Sequence, residues 1–548
     1  MPALPLFLAL LLNACSQPQH PVVAPWAVQF IDAAAQAGLE FEHYNGFSGE
    51  YYYVETFGPG SAFFDYDNDG WQDIYLVNGS YLTGLAPDPL PSNQLYRNLG
   101  DGTFANRTDA TGAGDQGYGM GAAAADFDND GDQDLYLSNF GRNGLYRNDD
   151  GHFTDVATAV GIDDARWSTS SAFLDYDLDG DLDLFVANYV DFNLNSNVVC
   201  KEGKIRTYCR PQAYEALGDI LYRNDGSRYS DVASTAGIIL KGRGLGVALS
   251  DYDLDGDTDI YVANDGTMNF LYENRRGSFS ETGLQAGTRY NEDGRAEAGM
   301  GVDFGDYDND GHQDLFVTNF AYETNTLYRN SGEGHFNDVA TRAGLAEPSY
   351  DPLGFGTKFL DYDNDNDLDL FIANGHVLDL MDQIDTTLTL TYYQSNQLLR
   401  NEGGTHFTDI SAELGPGFAA TNVGRGTAVA DYDNDGDIDL LVNGVADPPR
   451  LLRNDGGNQQ HWLIVELVGA GHRDALGTRI VARFDATSQT RERQSGGSYL
   501  SSHDPRLHFG LGSATNVDLD IRWPDGQEQQ LRAVAANQFL RLSQPPAP

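Results

Sequence analysis

The chain has 548 residues, and 82 Asp and Glu against 33 Lys and Arg give it a formal net charge of −49. A surface this acidic excludes nucleic acid as a partner, because phosphate backbones are held by basic side chains. Beyond the first residues no segment has the length and apolar character of a transmembrane helix.

Residues 1–14 are apolar and read as a lipoprotein signal peptide, because Leu12-Asn-Ala-Cys15 fits a bacterial lipobox. Cleavage before Cys15 and lipidation of its sulfur would tether the protein to a membrane, with 15–27 as the tether. Ser16 after the cysteine resembles lipoproteins sorted to the outer membrane. The expected compartment is therefore extracytoplasmic and lipid-anchored, at a bacterial outer membrane or cell surface. An ordinary secretory signal with an incidental cysteine is the alternative.

From residue 28 to 457 one unit recurs seven times. Each unit holds a nine-residue loop with Asp at positions 1, 3, 5 and 9: Asp65, Asp67, Asp69 and Asp73; Asp126, Asp128, Asp130 and Asp134; Asp175, Asp177, Asp179 and Asp183; Asp251, Asp253, Asp255 and Asp259; Asp306, Asp308, Asp310 and Asp314; Asp361, Asp363, Asp365 and Asp369; Asp431, Asp433, Asp435 and Asp439. Four carboxylates in nine residues repel unless a cation neutralises them, and hard oxygen ligands in a flexible loop suit Ca²⁺, up to seven ions in all. Seven divalent ions would bring −49 to about −35, still acidic. Gly at position 6 permits the sharp turn. In the sixth loop Asn366 replaces it and tolerates the same left-handed backbone. An EF-hand would need a bidentate Glu at position 12, where every copy here is apolar (Leu76, Leu137, Val186, Val262, Val317, Ile372, Val442).

The loops are 49 to 76 residues apart. A Gly-rich strand leads into each, an apolar strand leaves it, and two further strands follow. These are L-[YL]-[RE]-N and, in most units, F-x-D or a close variant. Four strands in each of seven units predict an all-β chain, a seven-bladed β-propeller. The seventh unit lacks its last strand, whereas a spare Phe30-Ile-Asp32 precedes the first loop and is expected to close the last blade. These units resemble the FG-GAP/VCBS repeats of integrin α-chain propellers and of bacterial surface proteins. The resemblance implies calcium on one face and the loops between the second and third strands on the other, the ligand face in integrins.

From 458 to 548 the composition changes, with 9 Arg, no Lys and 9 acidic residues, and the segments alternate like short strands. Ala475-Leu-Gly-Thr-Arg479, Phe509-Gly-Leu-Gly512 and Trp523-Pro-Asp-Gly526 resemble the ASPIC/UnbV domain. A propeller joined to that domain resembles the cartilage-acidic-protein-like family, which implies no general activity.

Three long insertions, 79–94, 189–220 and 375–397, share one topological position and so one face, where binding loops commonly lie. They carry the candidate ligand-binding residues Tyr81, Tyr189, Tyr208, Tyr214, His376, Tyr392 and Tyr393, aromatic groups that suit a sugar ring or a protein epitope. Packing of the loops themselves is the competing role for each. Cys200 and Cys209 lie close together in an irregular stretch, and an oxidising compartment favours a disulfide between them over two free thiols. The chain has no G-x-S-x-G, H-E-x-x-H or G-x-x-x-x-G-K-[ST] pattern, so no catalytic residue is assigned. The reading is a calcium-binding surface module for adhesion, with a protein or glycan ligand. A calcium-dependent, lyase-like enzyme on polysaccharides and an accessory factor of a biosynthetic or export assembly are the alternatives.

Overall fold

A computed structural model describes residues 28–84, 86–162, 164–380, 390–470 and 474–546. The expected signal peptide, Cys15 and the whole tether lie outside the described residues.

Seven four-stranded antiparallel sheets form the blades of a propeller. Blades 1 to 7 begin on the inner strands Ser61–Phe64, Gly119–Ala125, Ser168–Leu174, Gly244–Ser250, Val302–Gly305, Gly354–Leu360 and Gly424–Ala430. Blade 2 is representative: Gly119–Ala125 pairs with Asp134–Asn139, then Gly144–Asp149, then His152–Asp155. In blade 7 the fourth strand is Gln29–Asp32, antiparallel to Arg450–Asp455 with Phe30 opposite Asn454. The ring is thus hydrogen-bonded shut, with no bare edge between the first and last units.

Both faces of each blade are buried. In blade 2, Leu135 and Leu137 pack toward blade 1, against Phe64 and Tyr75. Tyr136 between them packs toward blade 3, against Phe173 and Leu184. Alternating side chains therefore serve two different interfaces, which is why the strands read as unbroken apolar runs. Burying each such side chain is worth about 1.5–3 kcal/mol.

The chain beyond blade 7 makes two further sheets, Leu507–Gly512, His461–Val468 and Gln538–Ser543 in one, and Thr487–Glu492, Arg479–Phe484, Asn516–Arg522 and Glu528–Ala535 in the other. Leu463, Val465, Ile480, Phe509, Leu519 and Trp523 form the core between them. Between Glu492 and Leu507 the chain leaves these sheets and runs through the centre of the propeller. Phe173 N–H donates to Ser495 Oγ (3.2 Å), Gly497 N–H to Val247 O (2.8 Å), Val302 N–H to Ser498 O (3.0 Å), and Thr357 N–H to Ser498 Oγ (3.1 Å). Ala122 N–H donates to Leu500 O (3.1 Å), Phe63 N–H to Ser502 O (3.1 Å), and Asp504 N–H to Val429 O (3.0 Å). All seven inner strands bond to this one segment, so the channel is filled rather than open.

Candidate functional site

The second loop shows how the acidic sites are built. Asp130 and Gly131 N–H donate to the two oxygens of Asp126 (3.0 Å each), and Asp132 N–H donates to Asp130 Oδ1 (2.9 Å). Phe127 N–H and Asn148 N–H hold Asp134 at 3.0 and 2.7 Å. Oxygens of Asp126, Asp128 and Asp134 lie within 4.8 Å of one another; the first, third and fifth loops hold equivalent groups, and the fourth gathers Asp251, Asp253 and Asp255. The turn residue is left-handed throughout, Gly131 at φ 102° and Asn366 at φ 87°, so the asparagine fits where glycine stands elsewhere.

Burial raises the carboxyls of these loops. Asp65 is pushed up to about 6, Asp126 to about 7 and Asp134 to about 9, each mainly by loss of water and further by neighbouring carboxylates. Asp306 is fully buried, and its Oδ1 has no partner; Oδ1 of Asp67, Asp177, Asp308, Asp363 and Asp433 is likewise buried and unpartnered. A buried carboxylate oxygen without a donor is costly unless something cationic meets it. The donor set, all carboxylate and carbonyl oxygen, fits a hard divalent cation of the calcium type.

The loops are wired to one another. The Asn that ends each third strand donates its Nδ2 to the second loop residue of the preceding blade: Asn148 to Tyr66 O, Asn224 to Phe127 O, Asn274 to Tyr176 O, and around the closure Asn98 to Tyr432 O. Its own N–H binds the ninth-position Asp of its blade, as Asn98 does with Asp73 at 2.7 Å. The C-terminal sheets rest on this same face. Asp126 N–H donates to Asp474 (2.6 Å), Arg506 to Asp431 O (2.8 Å), and Gly512 N–H to Asn364 O (2.9 Å); Glu492 accepts from Ser250 Oγ (2.8 Å).

The described parts of the three insertions fold inward over the opposite face, and the expectation of ligand contact is corrected for three of their residues. Tyr189 is 0% exposed, Tyr214 7% and His376 2%. Tyr189 bonds Tyr53 Oη (2.8 Å) and donates to Asp265, and Tyr214 stacks on Tyr53 with ring centres 5.5 Å apart. Burial lowers the His376 pKa to about 4, and its Nδ1 accepts from Leu378 N–H at 3.0 Å. Large rings gain more by covering the apolar hub than by facing water. Tyr208 is half-buried, donating to Glu55 (2.9 Å), and Tyr392 is half-buried against Tyr393. Tyr81 and Tyr393 remain exposed, at 41% and 50%, with Tyr44, Phe47, Tyr322 and Tyr350 exposed as well. A disulfide joins Cys200 to Cys209.

Two features of the hub are absent from the reading of the sequence. One is a repeated Gly-x-Gly at the inner strands: 58–60, 119–121, 244–246, 299–301, 354–356 and 424–426. The second glycine is where backbones meet, since a Cβ on Gly60 would lie 1.8 Å from Leu500 O and one on Gly301 2.0 Å from Phe355 O. The middle residues Met120, Leu245, Met300 and Phe355 gather around Tyr499 and Leu500 of the threaded segment. The other is Arg425, also a middle residue and 0% exposed. It donates Nε and Nη2 to Thr56 O, Nη1 to Gly375 O and Gly424 O, and Nη2 to His376 O, at 2.8–3.2 Å, while lying 3.9 Å over the Phe355 ring. Burial pulls its pKa down to about 10. The recurring spacing of these positions was the available signal.

The profile of the FG-GAP-like repeat matches residues 65–137, 126–186, 251–317, 306–372 and 382–442, more than half of the chain. The chain belongs to the FG-GAP-like repeat family. Its last 80 residues, 469–548, match the ASPIC and UnbV family. Among characterised relatives of this FG-GAP chain is cartilage acidic protein 1 of Mus musculus, 29% identical over 320 residues, 56% of this chain and 46% of that protein. The Homo sapiens protein of that name is 29% identical over 308 residues, 54% of this chain and 43% of that one. The chain thus spans less than half the length of these relatives. Among solved structures, an Agrocybe aegerita lectin that recognises non-reducing terminal N-acetylglucosamine aligns at TM-score 0.37 and 15% identity, covering 64% of this chain and 79% of the lectin. Rhamnogalacturonan lyase YesW aligns at TM-score 0.28 and 12% identity, covering 72% and 88%. Scores this low carry no argument about ligand or activity.

Proposed function

We propose that this chain is a calcium-stabilised binding module that works outside the cytoplasm. FG-GAP-like repeats joined to an ASPIC and UnbV domain indicate a binding or adhesion-type module. The calcium part rests on one observation, the buried and unpartnered carboxylate oxygens that converge in the loops, with Asp306 Oδ1 the most enclosed. In this reading the aspartates at positions 1, 3, 5 and 9 of each loop hold the ion. A bound ion would offset two of their four charges and lock the blade-to-blade asparagine bonds made to the same loops.

The partner would be a protein or glycan, met on the face of the three insertions. Tyr81 and Tyr393, with Tyr44 beside Gly79 and Phe47, are the exposed rings available for it. The opposite face is taken by the C-terminal sheets and the channel by residues 495–504, which leaves the insertion face as the free broad surface. The compartment rests on the Leu12-Asn-Ala-Cys15 pattern, which would make the protein a lipid-anchored bacterial surface protein. No helix among the described residues is long and apolar enough to cross a membrane.

The test is to measure thermal stability and glycan-array binding of protein lacking the anchor, in calcium and in chelator. The reading expects a lower melting temperature and loss of binding on chelation. Unchanged stability in chelator would remove calcium from the fold. Binding that survives alanine at both Tyr81 and Tyr393 would move the ligand off this face.

A further inference from the structure

The third strand of every blade carries an arginine beside its terminal Asn, and the seven blades do not use it alike. In blades 2, 3, 6 and 7 the order is Arg-Asn-acid, and the arginine turns to that acid: Arg147 to Asp149 (2.8 Å), Arg223 to Asp225 (2.9 Å), Arg400 to Glu402 (2.6 Å) and Arg453 to Asp455 (2.7 Å). Blade 4 reverses the order, and Arg275 pairs with Glu273. In blades 1 and 5 the residue after Asn is Leu99 or Ser331, so no acid draws the arginine away. There it folds onto the metal loop itself. Arg97 reaches Asp67 at 2.5 Å and Asp69 at 2.8 Å; Arg329 reaches Asp308 at 2.5 Å and Asp310 at 2.8 Å.

The consequence falls on the fifth-position carboxylate, since Oδ1 of Asp67 and of Asp308 stays free for a cation. Asp69 Oδ1 already accepts from Trp71 N–H and Asp310 Oδ1 from His312 N–H, both at 3.0 Å, so the arginine takes the second oxygen of each. Among the described residues, no ion pair reaches the third- or fifth-position carboxylate of the other five loops; Arg522 meets first-position Asp251 of the fourth at 3.7 Å, on the oxygen that also accepts from Gly256 N–H, and leaves Asp251 Oδ1 free. We infer that the seven loops form two classes of cation site, five open and two guarded by an internal arginine that must be displaced before the ion is held. This rests on the calcium reading above and divides its sites. A guanidinium and a divalent cation at neighbouring oxygens repel, and breaking two partly exposed ion pairs costs roughly a factor of ten in affinity. Arg97 and Arg329 are 34% and 38% exposed, so each has a way out to solvent without unfolding of the blade. In the absence of metal the same side chains act as resident counter-charges.

The experiment counts calcium ions bound to the folded chain by native mass spectrometry across a series of buffered free-calcium concentrations. Trp462 lies against Gly436 of the seventh loop, so the first loop is read as the part of the tryptophan-excited terbium emission that Trp71→Phe removes. Wild-type protein should hold five ions at a concentration where two sites are still empty. Arg97→Gln with Arg329→Gln should bring the last two ions in about tenfold earlier and advance the Trp71 signal by the same factor. Asp149→Ala, in an otherwise native chain, should release Arg147 onto the second loop and give four early ions and three late ones. Seven ions in a single class would overturn this inference and leave the calcium reading standing. Weaker terbium binding at the first loop in the Arg97→Gln variant would show the arginine to be a support for the site and overturn the inference too. No uptake by wild-type protein would overturn both.

Discussion

Tyr499 stands at the tip of the threaded segment, and replacing it tests whether that segment holds the hub together. Its side chain is 0% exposed and meets Phe355 edge-on at 5.1 Å, within the cluster that also holds Met120, Trp167, Tyr189, Leu245 and Met300. Tyr499→Ala deletes a ring from the meeting point of several blades. Those blades are fixed by their own sheets, so the space would not collapse, and the loss should be about 3–5 kcal/mol. The hydroxyl is a separate matter, because Tyr499 Oη is buried with no hydrogen-bond partner. Tyr499→Phe therefore removes an unsatisfied group and should leave stability unchanged or raise it by up to about 1 kcal/mol. Urea unfolding followed by tryptophan fluorescence suits the test, since Trp167 packs on Tyr53, Phe57 and Tyr189 in the same cluster. An alanine variant that loses less than about 1 kcal/mol would refute the structural role of the segment. A phenylalanine variant as damaged as the alanine variant would refute the assignment of the hydroxyl.

Three further outcomes are expected. Arg425→Lys should cost nearly as much as Arg425→Ala, at least about 3 kcal/mol, because three donors cannot serve the carbonyls of Thr56, Gly375, Gly424 and His376 in the planar arrangement they require; full rescue by lysine in urea unfolding would contradict this. Gly60→Ala should displace the threaded segment, since its Cβ has no room beside Leu500 O, and new protease cleavage between residues 493 and 506 is the signature to seek. The pH dependence should change sign with metal. Burial holds Asp126 near 7 and Asp134 near 9, above the unfolded value of about 4. The metal-free folded chain then binds more protons than the unfolded one between those values, so its stability should fall as pH rises from 5 to 8. With calcium bound, acid competes with the ion and stability should rise over the same range; parallel slopes in chelator and in calcium would contradict the buried, ion-holding role of these carboxyls.

The propeller was legible because its signal repeats. Seven loops with Asp at fixed offsets, each followed by an apolar strand ending in Asn, leave few other architectures, and even Asn366 could be read as a tolerated glycine substitute. The face of the insertions was legible from topology, but the direction of their side chains was not. Tyr189 and Tyr393 look alike in the sequence; one lies in the hub and the other in water because a loop's path depends on what it lands on. The threaded segment was invisible for a similar reason. Gly496-Gly-Ser-Tyr499 reads as an ordinary turn within a small β domain, and its partners are single backbone groups scattered over all seven blades. The arginine that guards or spares a loop is decided by one residue after each Asn, a difference that acquires meaning only once the side chains are seen to share a reach.

The closing contacts also fix the order in which this protein is assembled. Asp32 meets Arg450, 418 residues along the chain, and Ser61 meets Ser501, 440 residues along. During synthesis the first blade is made long before the segment that completes its inner strand. An emerging chain therefore carries the unpaired strand Gln29–Asp32 and inner strands open to the hub until residues 450–504 arrive. Contacts of this range make folding slow and leave the intermediates prone to pairing with one another. Such a chain is well served by closing its ring late, once the segment that fills the hub has been made.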